Sequence, residues 1–556
     1  MNRRRRRIRW LLLAALATGF LFQLVVERRA QPFASDSFHY LLLAKSLAAG
    51  DGFVSGGSQH PDTTRLPIYP MMIAAAYVFV RNLDWAALIV TAAGGAVSLL
   101  PFALLVRSMF GRKALVPAIA IGSLSCVVAV AWRLLPEAVY LPISLAAVAS
   151  TWWSVRRPGR AVSLTAGLIA GLAALTRAEG LAWVLFTPAW SFLDGGPSRS
   201  GGPGRWSRAA FALLGAGTLY AGYVAWASAR LGRFEPFPEV HYLRLIREVD
   251  DRFGLRYTSG PRMAWSDRAR FLLTEDQSAF VLESSFASGS VPTPQSAFVV
   301  PEKATFGAKV PLSSSANRRL TITLTNLRRV PTALQELHLV PPVLLVLGAI
   351  GVLGSLVTRR GRRRMLFLAA AFAATLLPVV SHVEGRFLFP AFAIGLVPAA
   401  AGWAWLVSAA RRAWPRSKVP AYVLSGLIAL AVAAAGATHL RPQTERVEKA
   451  LMRRDAAKWA RTHLGPGPVL ALEPGVPFWS EHPYRAIPMG GPDAVLAYAR
   501  AQKAAALSFE DPNDLERLPL LAPFSSDPPP PGFRLVHQRV RRGVGRIRFF
   551  AIEPAP

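Results

Sequence analysis

The sequence is poor in cysteine and in charged residues, above all acidic ones. Cys126 is the single cysteine among 556 residues, which excludes an intramolecular disulfide framework and a metal site built from several cysteines. Only 17% of the residues are charged, against about 25% in a typical soluble domain. There are 32 acidic residues for 64 basic ones, a formal net charge of +32. In a soluble protein that excess would indicate a nucleic-acid partner.

Long apolar runs are what the sequence has in abundance. Hydrophobic residues make up 52% of the chain, and they gather in blocks of about 15 to 23 residues, long enough to cross a bilayer. This pattern excludes a single soluble domain and predicts an α-helical polytopic membrane protein with about eleven transmembrane helices. It also accounts for the basic excess without a nucleic acid. The predicted spans are 10–26, 84–106, 114–131, 139–155, 161–176, 180–193, 209–229, 339–358, 365–380, 387–408 and 419–437.

The first apolar run, Trp10 to Val26, follows a polybasic segment. A cleaved signal peptide is one interpretation of such a start. However, Glu27-Arg28-Arg29 stands where the small residues of a cleavage site would be. We therefore predict an uncleaved anchor with a cytoplasmic N-terminus, because polybasic flanks stay inside.

The basic residues also predict the sidedness of the loops. With the N-terminus inside, the predicted inside segments together hold 24 lysines and arginines, whereas each short outside turn holds one. The positive-inside rule requires this asymmetry. It supports a crossing by the short run 180–193, without which the later Arg-rich loops would lie outside. The apolar run Ile68 to Val80 is instead predicted to be a helix lying on the outer face.

The sequence predicts two domains. Residues 1–440 form the membrane domain, which includes a first outside loop at 27–83 and a larger one at 230–338. Residues 441–556 form a tail of the size of a small independent domain, predicted to be α/β. The tail has no Gly-rich phosphate loop, which argues against a nucleotide site. Its predicted elements are helices at 445–463 and 493–504, strands at 469–472 and 505–509, and a hairpin over 533–552 around Gly543.

Chemically useful side chains gather at the predicted outer mouths of the spans. Asp36 lies just beyond the first span and four residues before Tyr40, so the two share one face of a helix. Asp36 could equally serve as the N-cap of that helix. Polar groups near a membrane are costly and are kept for a reason.

Two further outer turns carry a mixture of charges. Glu137 begins a helix, where the helix dipole favours an anion, and a solvated loop carboxylate is the simpler interpretation. Arg177 and Glu179 stand in the turn Thr176 to Gly180 and could form an ion pair that closes it.

The last outer turn contains His382, Glu384 and Arg386. His382 and Glu384 could ligate a metal, but two ligands are too few to define a site. Arg386 begins a helix and is suited to a phosphate. All of these turns are predicted to face the same compartment, and unrelated solvated turns need not share a side.

In their order along the chain, these segments resemble the GT-C superfamily of integral-membrane glycosyltransferases. The nearest branch is that of protein O-mannosyltransferases and bacterial lipid A aminoarabinose transferases. The matching pieces are Asp36…Tyr40 and Gly50-Asp51-Gly52-Phe53, Pro67…Tyr69-Pro70, Pro136-Glu137, Leu175 to Leu181, Glu384 to Pro390 and, in the tail, Ala457-Lys458-Trp459 and Pro477-Phe478-Trp479-Ser480.

The resemblance implies a donor sugar carried on a polyprenyl phosphate and an acceptor that is an envelope lipid, polysaccharide or protein. It implies that Asp36 is the general base and that Arg386 and Arg177 bind the donor phosphate. Many members carry a second carboxylate where this chain has Ser37, which favours a metal-free mechanism over one with a divalent metal. The implied substrate-positioning residues are Glu137, Glu179, Tyr40, His382 and Glu384.

Two other classes fit a polytopic chain: a transporter or flippase of lipid-linked sugars, and a scaffold for envelope assembly. Buried charges midway along the spans would favour transport, whereas the acidic groups here lie at the mouths. The high content of Arg, Ala, Gly and Pro is typical of a GC-rich bacterium. The predicted location is therefore the bacterial inner membrane, with the C-terminal domain in the periplasm.

Overall fold

A computed structural model gives the architecture of most of the chain. It describes residues 3–30, 35–54, 65–130, 134–157, 159–194, 204–231, 234, 342–376, 388–438, 444–487, 491–512, 514–515 and 519–554. The loop predicted at 230–338 lies almost entirely outside these residues. The described residues fall into two compact units.

The first unit is helical throughout the part that the structure describes. Each predicted span coincides with a helix, and the run from Ile68 to Val80 is a helix as well. The helices are α1 (Arg3–Ala30), α3 (Ile68–Val80), α4 (Leu83–Phe110), α5 (Leu115–Val130), α6 (Glu137–Arg156), α7 (Arg160–Ala174), α8 (Leu181–Leu193), α9 (Arg205–Leu231), α10 (Pro342–Leu356), α11 (Arg359–Thr375), α12 (Phe389–Ala413) and α13 (Val419–Thr438).

Four helices of the described chain, α4, α6, α9 and α12, are long and apolar enough to cross a membrane. The count of eleven spans remains a prediction. Helix α8 has 13 residues, about 20 Å of rise, which is less than the hydrocarbon thickness of about 30 Å. Helix α3 also has 13 residues, which is short by the same measure. Its Phe79 side chain is 85% exposed.

Close helix packing in the first unit relies on small residues. On α7, Gly167 and Gly171 are four residues apart and face α9, where a Cβ at either position would collide with the backbone carbonyl of Ala212 or Ala216. Such small residues let two membrane helices approach closely and gain van der Waals contact, which is the main source of association energy in lipid. This packing sets the position of the end of α7.

The second unit combines the first-loop helix α2 with the C-terminal domain. Its five-stranded sheet has the order β2-β1-β3-β5-β4, with β1 parallel to β2 and β3, and β5 antiparallel to β3 and β4. The α/β pattern and the terminal hairpin predicted from sequence are confirmed, and α15 and β2 are additional. The elements are α2 (Ser35–Ala49), α14 (Thr444–His463), β1 (Val469–Ala471), α15 (Gly475–Ser480), β2 (Tyr484–Ala486), α16 (Pro492–Ala501), β3 (Ala506–Asp511), β4 (Phe533–Arg541) and β5 (Gly545–Ile552).

Candidate functional site

The turn between α7 and α8 positions Arg177. Helix α7 ends where the Thr176 hydroxyl donates to the carbonyl oxygen of Leu172 at 2.8 Å. The chain then makes one 3-10 turn, Ala178–Gly180, and enters α8. Only glycine fits at position 180, because a Cβ there would collide with the backbone of Ala173. The turn therefore leaves Arg177 at the mouth between two helices.

Two carboxylates hold the Arg177 guanidinium. Arg177 Nε and Nη2 donate to the two carboxylate oxygens of Glu179 at 2.9 and 2.8 Å, and Nη1 donates to Glu137 Oε1 at 2.8 Å. The three side chains are 13%, 13% and 4% exposed, respectively. A two-pronged contact of this kind fixes the plane of the guanidinium as well as its distance. The tight turn predicted from sequence is present, and it recruits Glu137 from 40 residues away.

Helix packing brings Glu137 to the same place. Glu137 is the first residue of α6, after Pro136, so its carboxylate lies at the positive end of the helix dipole. One residue later, the Ala138 carbonyl faces Gly94 of α4, where a Cβ would approach it to 2.5 Å. A larger residue at position 94 would push the start of α6, and with it Glu137, away from Arg177.

The Pro67 to Pro70 segment lies beside the turn between α7 and α8. The backbone N–H of Ile68 donates to the carbonyl oxygen of Leu175 at 3.3 Å. The hydroxyls of Tyr69 and Thr91 are hydrogen-bonded at 3.1 Å in a buried position. The start of α3 is thus joined to the end of α7, which leads into Arg177, and to the N-terminal part of α4.

The opposite end of these helices is basic. Helix α6 ends at Arg156 and α8 is followed by Asp194, which accepts a hydrogen bond from Arg363 Nε at 2.6 Å. The Arg177 cluster and this Arg-rich end are therefore separated by the length of α6. Which end faces the cytoplasm stays a prediction of the positive-inside rule.

The remaining predicted site residues lie elsewhere. Asp36 is in the first turn of α2, in the second unit. Tyr40 is on the same helix, and the Arg65 guanidinium lies 5.9 Å from the centre of its ring. Arg386, His382 and Glu384 are outside the described residues. Within the described part of the chain, no group of three or more His, Cys, Asp and Glu residues could hold a metal ion.

Sequence reasoning missed a second ion cluster, in the C-terminal domain. Arg453 of α14 contacts both oxygens of Glu510 at 2.7 and 3.1 Å and forms a second ion pair with Glu473. Burial would raise the pKa of Glu510, but the charge of Arg453 and its hydrogen bonds outweigh it and lower that pKa below its usual range. The partners are 20 and 57 residues from the arginine, and no local pattern links them.

Comparison with solved structures shows which fold this is. The crystal structure of ArnT from Cupriavidus metallidurans bound to undecaprenyl phosphate superposes with a TM-score of 0.50 at 14% identity, covering 97% of each chain. AglB, the oligosaccharyltransferase of Archaeoglobus fulgidus, matches in a complex with an inhibitory peptide and a dolichol-phosphate, with a TM-score of 0.51 at 13% identity. That match covers 90% of this chain and 69% of AglB.

A third similar structure is AglB in complex with Zn and sulfate, with a TM-score of 0.53 at 14% identity, covering 90% of this chain and 68% of the other. No protein-family model and no curated protein sequence matches the chain. The GT-C fold predicted from the sequence motifs is confirmed by these superpositions. With its long apolar helices, the chain is a multi-pass membrane protein of that fold.

Proposed function

We propose that this protein is an inverting glycosyltransferase. It moves a sugar from a polyprenyl-phosphate-linked donor to an envelope lipid, glycan or protein at the periplasmic face of a bacterial inner membrane. The observation that carries the proposal is the fold shared over 97% of both chains with a protein bound to undecaprenyl phosphate. Because a lipid-linked donor stays in the bilayer, its transferase needs an active site at the interface.

The distribution of charge supports chemistry at the mouths of the helices. In α4, α6, α9 and α12, every charged residue stands within the first or last few positions, and the interiors carry none. A translocation path favours charged groups at mid-membrane depth, since that is where ions and polar substrates need partners. These four helices therefore favour a transferase over a flippase.

We assign the proton transfer to Asp36. The acceptor hydroxyl attacks the anomeric carbon from the face opposite the phosphate, and Asp36 takes its proton. A bond forms between the acceptor oxygen and the anomeric carbon, the bond from that carbon to the phosphate oxygen breaks, and polyprenyl phosphate leaves. General-base assistance of this kind is worth about 10²- to 10⁴-fold in rate.

Arg386 and Arg177 stabilise the negative charge that develops on the leaving phosphate. Glu137 and Glu179 already balance the charge of Arg177, so we assign the larger electrostatic part to Arg386 and an orienting hydrogen-bond role to Arg177. A guanidinium held in place before the reaction costs no reorganisation when the charge appears. Tyr40, His382 and Glu384 would then orient the sugar.

The test is a transfer assay with the purified full-length protein and polyprenyl-phosphate sugars. Asp36→Asn should lose about 10²-fold or more of the transfer rate. Asp51→Asn is the matched control, because Asp51 is an exposed aspartate that follows the same helix, and it should transfer sugar as the wild type does. Wild-type rates in Asp36→Asn would remove the base assignment. Absence of transfer by the wild type from every such donor would contradict the proposed function.

A further inference from the structure

One face of α2 is buried within the second unit. Phe38, Leu41, Leu43 and Ala44 are each at most 1% exposed, whereas Lys45, one residue further on, is exposed. A helix of 15 residues is marginally stable on its own in water. The position of α2 therefore depends on what covers this face.

An aromatic socket on α15 holds Phe38. The Phe38 ring meets the Trp479 ring edge-on, with centroids 4.9 Å apart and an interplanar angle of 88°, and lies 5.6 Å from the Phe478 ring. The base of the socket is Gly475, where an added Cβ would stand 3.0 Å from Phe38 Cε2. The contact is therefore close enough that one methyl group would displace the ring.

The residues beside Phe38 hold α2 against the same domain. His39 meets the Tyr484 ring at 6.0 Å and 75°, and the Tyr484 hydroxyl donates to the carbonyl oxygen of Leu472 at 3.2 Å. Tyr40 has the Arg65 guanidinium against its ring. Three consecutive side chains of α2 thus have defined partners.

The socket itself is fixed by the buried Arg453 cluster. Glu473 precedes Gly475 by two residues and is ion-paired with Arg453, which also holds Glu510 at the end of β3. The start of α15 is therefore tied to α14 and to the centre of the sheet. Because protein interiors are close-packed, a helix that packs on the fixed start of α15 is held in a defined position.

We propose that the C-terminal domain positions the catalytic base through this socket. Phe38, Gly475 and Trp479 are then positioning residues for Asp36. The inference rests on the proposed function, in which Asp36 is the base. Asp36 and Phe38 are two residues apart on one helix, about 3 Å of rise, so a displacement of α2 at Phe38 carries the backbone at Asp36 with it. Misplacement of a reacting group by about 1 Å can cost 10²-fold in rate.

The test is a size-exchange experiment on the full-length protein. Gly475→Ala should lower kcat by about 10-fold or more while the donor KM changes little, because the donor contacts are assigned to Arg386 and Arg177. Phe38→Leu supplies the missing space, so the Gly475→Ala, Phe38→Leu double variant should recover most of that loss. The matched controls are Gly491→Ala, where an added Cβ meets nothing within 4 Å, and Lys45→Ala, at an exposed residue of α2. Both should behave as the wild type.

Hydrogen exchange of the α2 amides reports the docking without activity. Gly475→Ala should speed exchange over residues 41–44, and the double variant should restore protection. Faster exchange with unchanged kcat would overturn the positioning role and leave the proposed function standing. If the wild type transferred no sugar, the proposed function would fall, and unchanged exchange in Gly475→Ala would overturn the socket as well.

Discussion

The two units each contain an arginine held by two carboxylates, and the two clusters differ in what surrounds them. In the first unit, Arg177 joins Glu137 and Glu179 at the ends of α6, α7 and α8, and two of the three side chains are 13% exposed. In the second unit, Arg453 joins Glu473 and Glu510 in the interior of a small domain, with all three at most 10% exposed.

Ion-pair geometry alone does not distinguish a functional cluster from a structural one. Both arginines make a fork to one carboxylate and a contact to a second. The distinction comes from position: the Arg177 cluster lies where α6 and α8 begin and α7 ends, whereas the Arg453 cluster ties a helix to a sheet. We therefore expect changes in the first cluster to alter transfer directly, and changes in the second to alter stability and to affect transfer only through the socket that holds α2.

Arg453→Ala should give the largest effect. Removing one partner of a buried ion pair leaves uncompensated charges and costs about 3–5 kcal/mol. Thermal unfolding of the purified protein should therefore show a large loss of stability in the C-terminal domain. Arg534→Ala, at an exposed arginine of β4, is the control and should change stability by less than about 0.5 kcal/mol. An Arg453→Ala protein as stable as this control would refute the structural role.

Arg177→Lys should give the next largest effect, and that effect should be on the rate of sugar transfer. Lysine keeps the charge but cannot make the fork to Glu179, because its ammonium is a compact point charge. We expect kcat/KM to fall by about 10²-fold, the size of effect seen when one preorganised donor is lost. Steady-state kinetics with a lipid-linked donor would measure it. If Arg177→Lys kept the wild-type kcat/KM but unfolded at a lower temperature, the Arg177 cluster would be structural, like the Arg453 cluster.

Glu510→Gln should test the structural role of the Arg453 cluster through the pH dependence of stability. Because the folded-state pKa of Glu510 is lowered, its ionised form contributes stability above the unfolded-state pKa, and that contribution is lost as pH falls through the folded-state pKa. The variant should therefore be less stable than the wild type at neutral pH, and the gap should narrow in acid. Unfolding temperatures across that range are the measurement. A gap that stays constant with pH would show that the Glu510 charge contributes nothing.

Much of this architecture can be predicted from sequence because local sequence patterns determine it. Apolar runs predicted the helices of the first unit, and Gly543 as a turn residue predicted the hairpin of β4 and β5. The Arg177 and Glu179 pair is two residues apart, so a tight turn was enough to suggest it. For each of these, the physical cause lies within a few residues of the effect.

The remainder depends on packing between distant parts of the chain. Glu137 reaches Arg177 because Gly94 lets α4 and α6 approach, and Phe38 reaches Trp479 across more than 400 positions. These residues stand in separate sequence motifs, and no periodicity or motif pairs one with the other. The Arg453 cluster was missed for the same reason, since its charges look like an ordinary solvated helix face until α14 is placed on the sheet.

The proposed reaction requires that Asp36 and Arg386 face the same side of the membrane. The chain has a single cysteine, so a Cys126→Ser background allows probes at Ser35→Cys, Ser381→Cys and Ser417→Cys. An impermeant maleimide applied to intact cells should label positions 35 and 381 and should reach position 417, in a predicted inside loop, only after permeabilisation. Labelling of 35 and 381 from opposite sides would contradict the claim, and the proposed reaction with it.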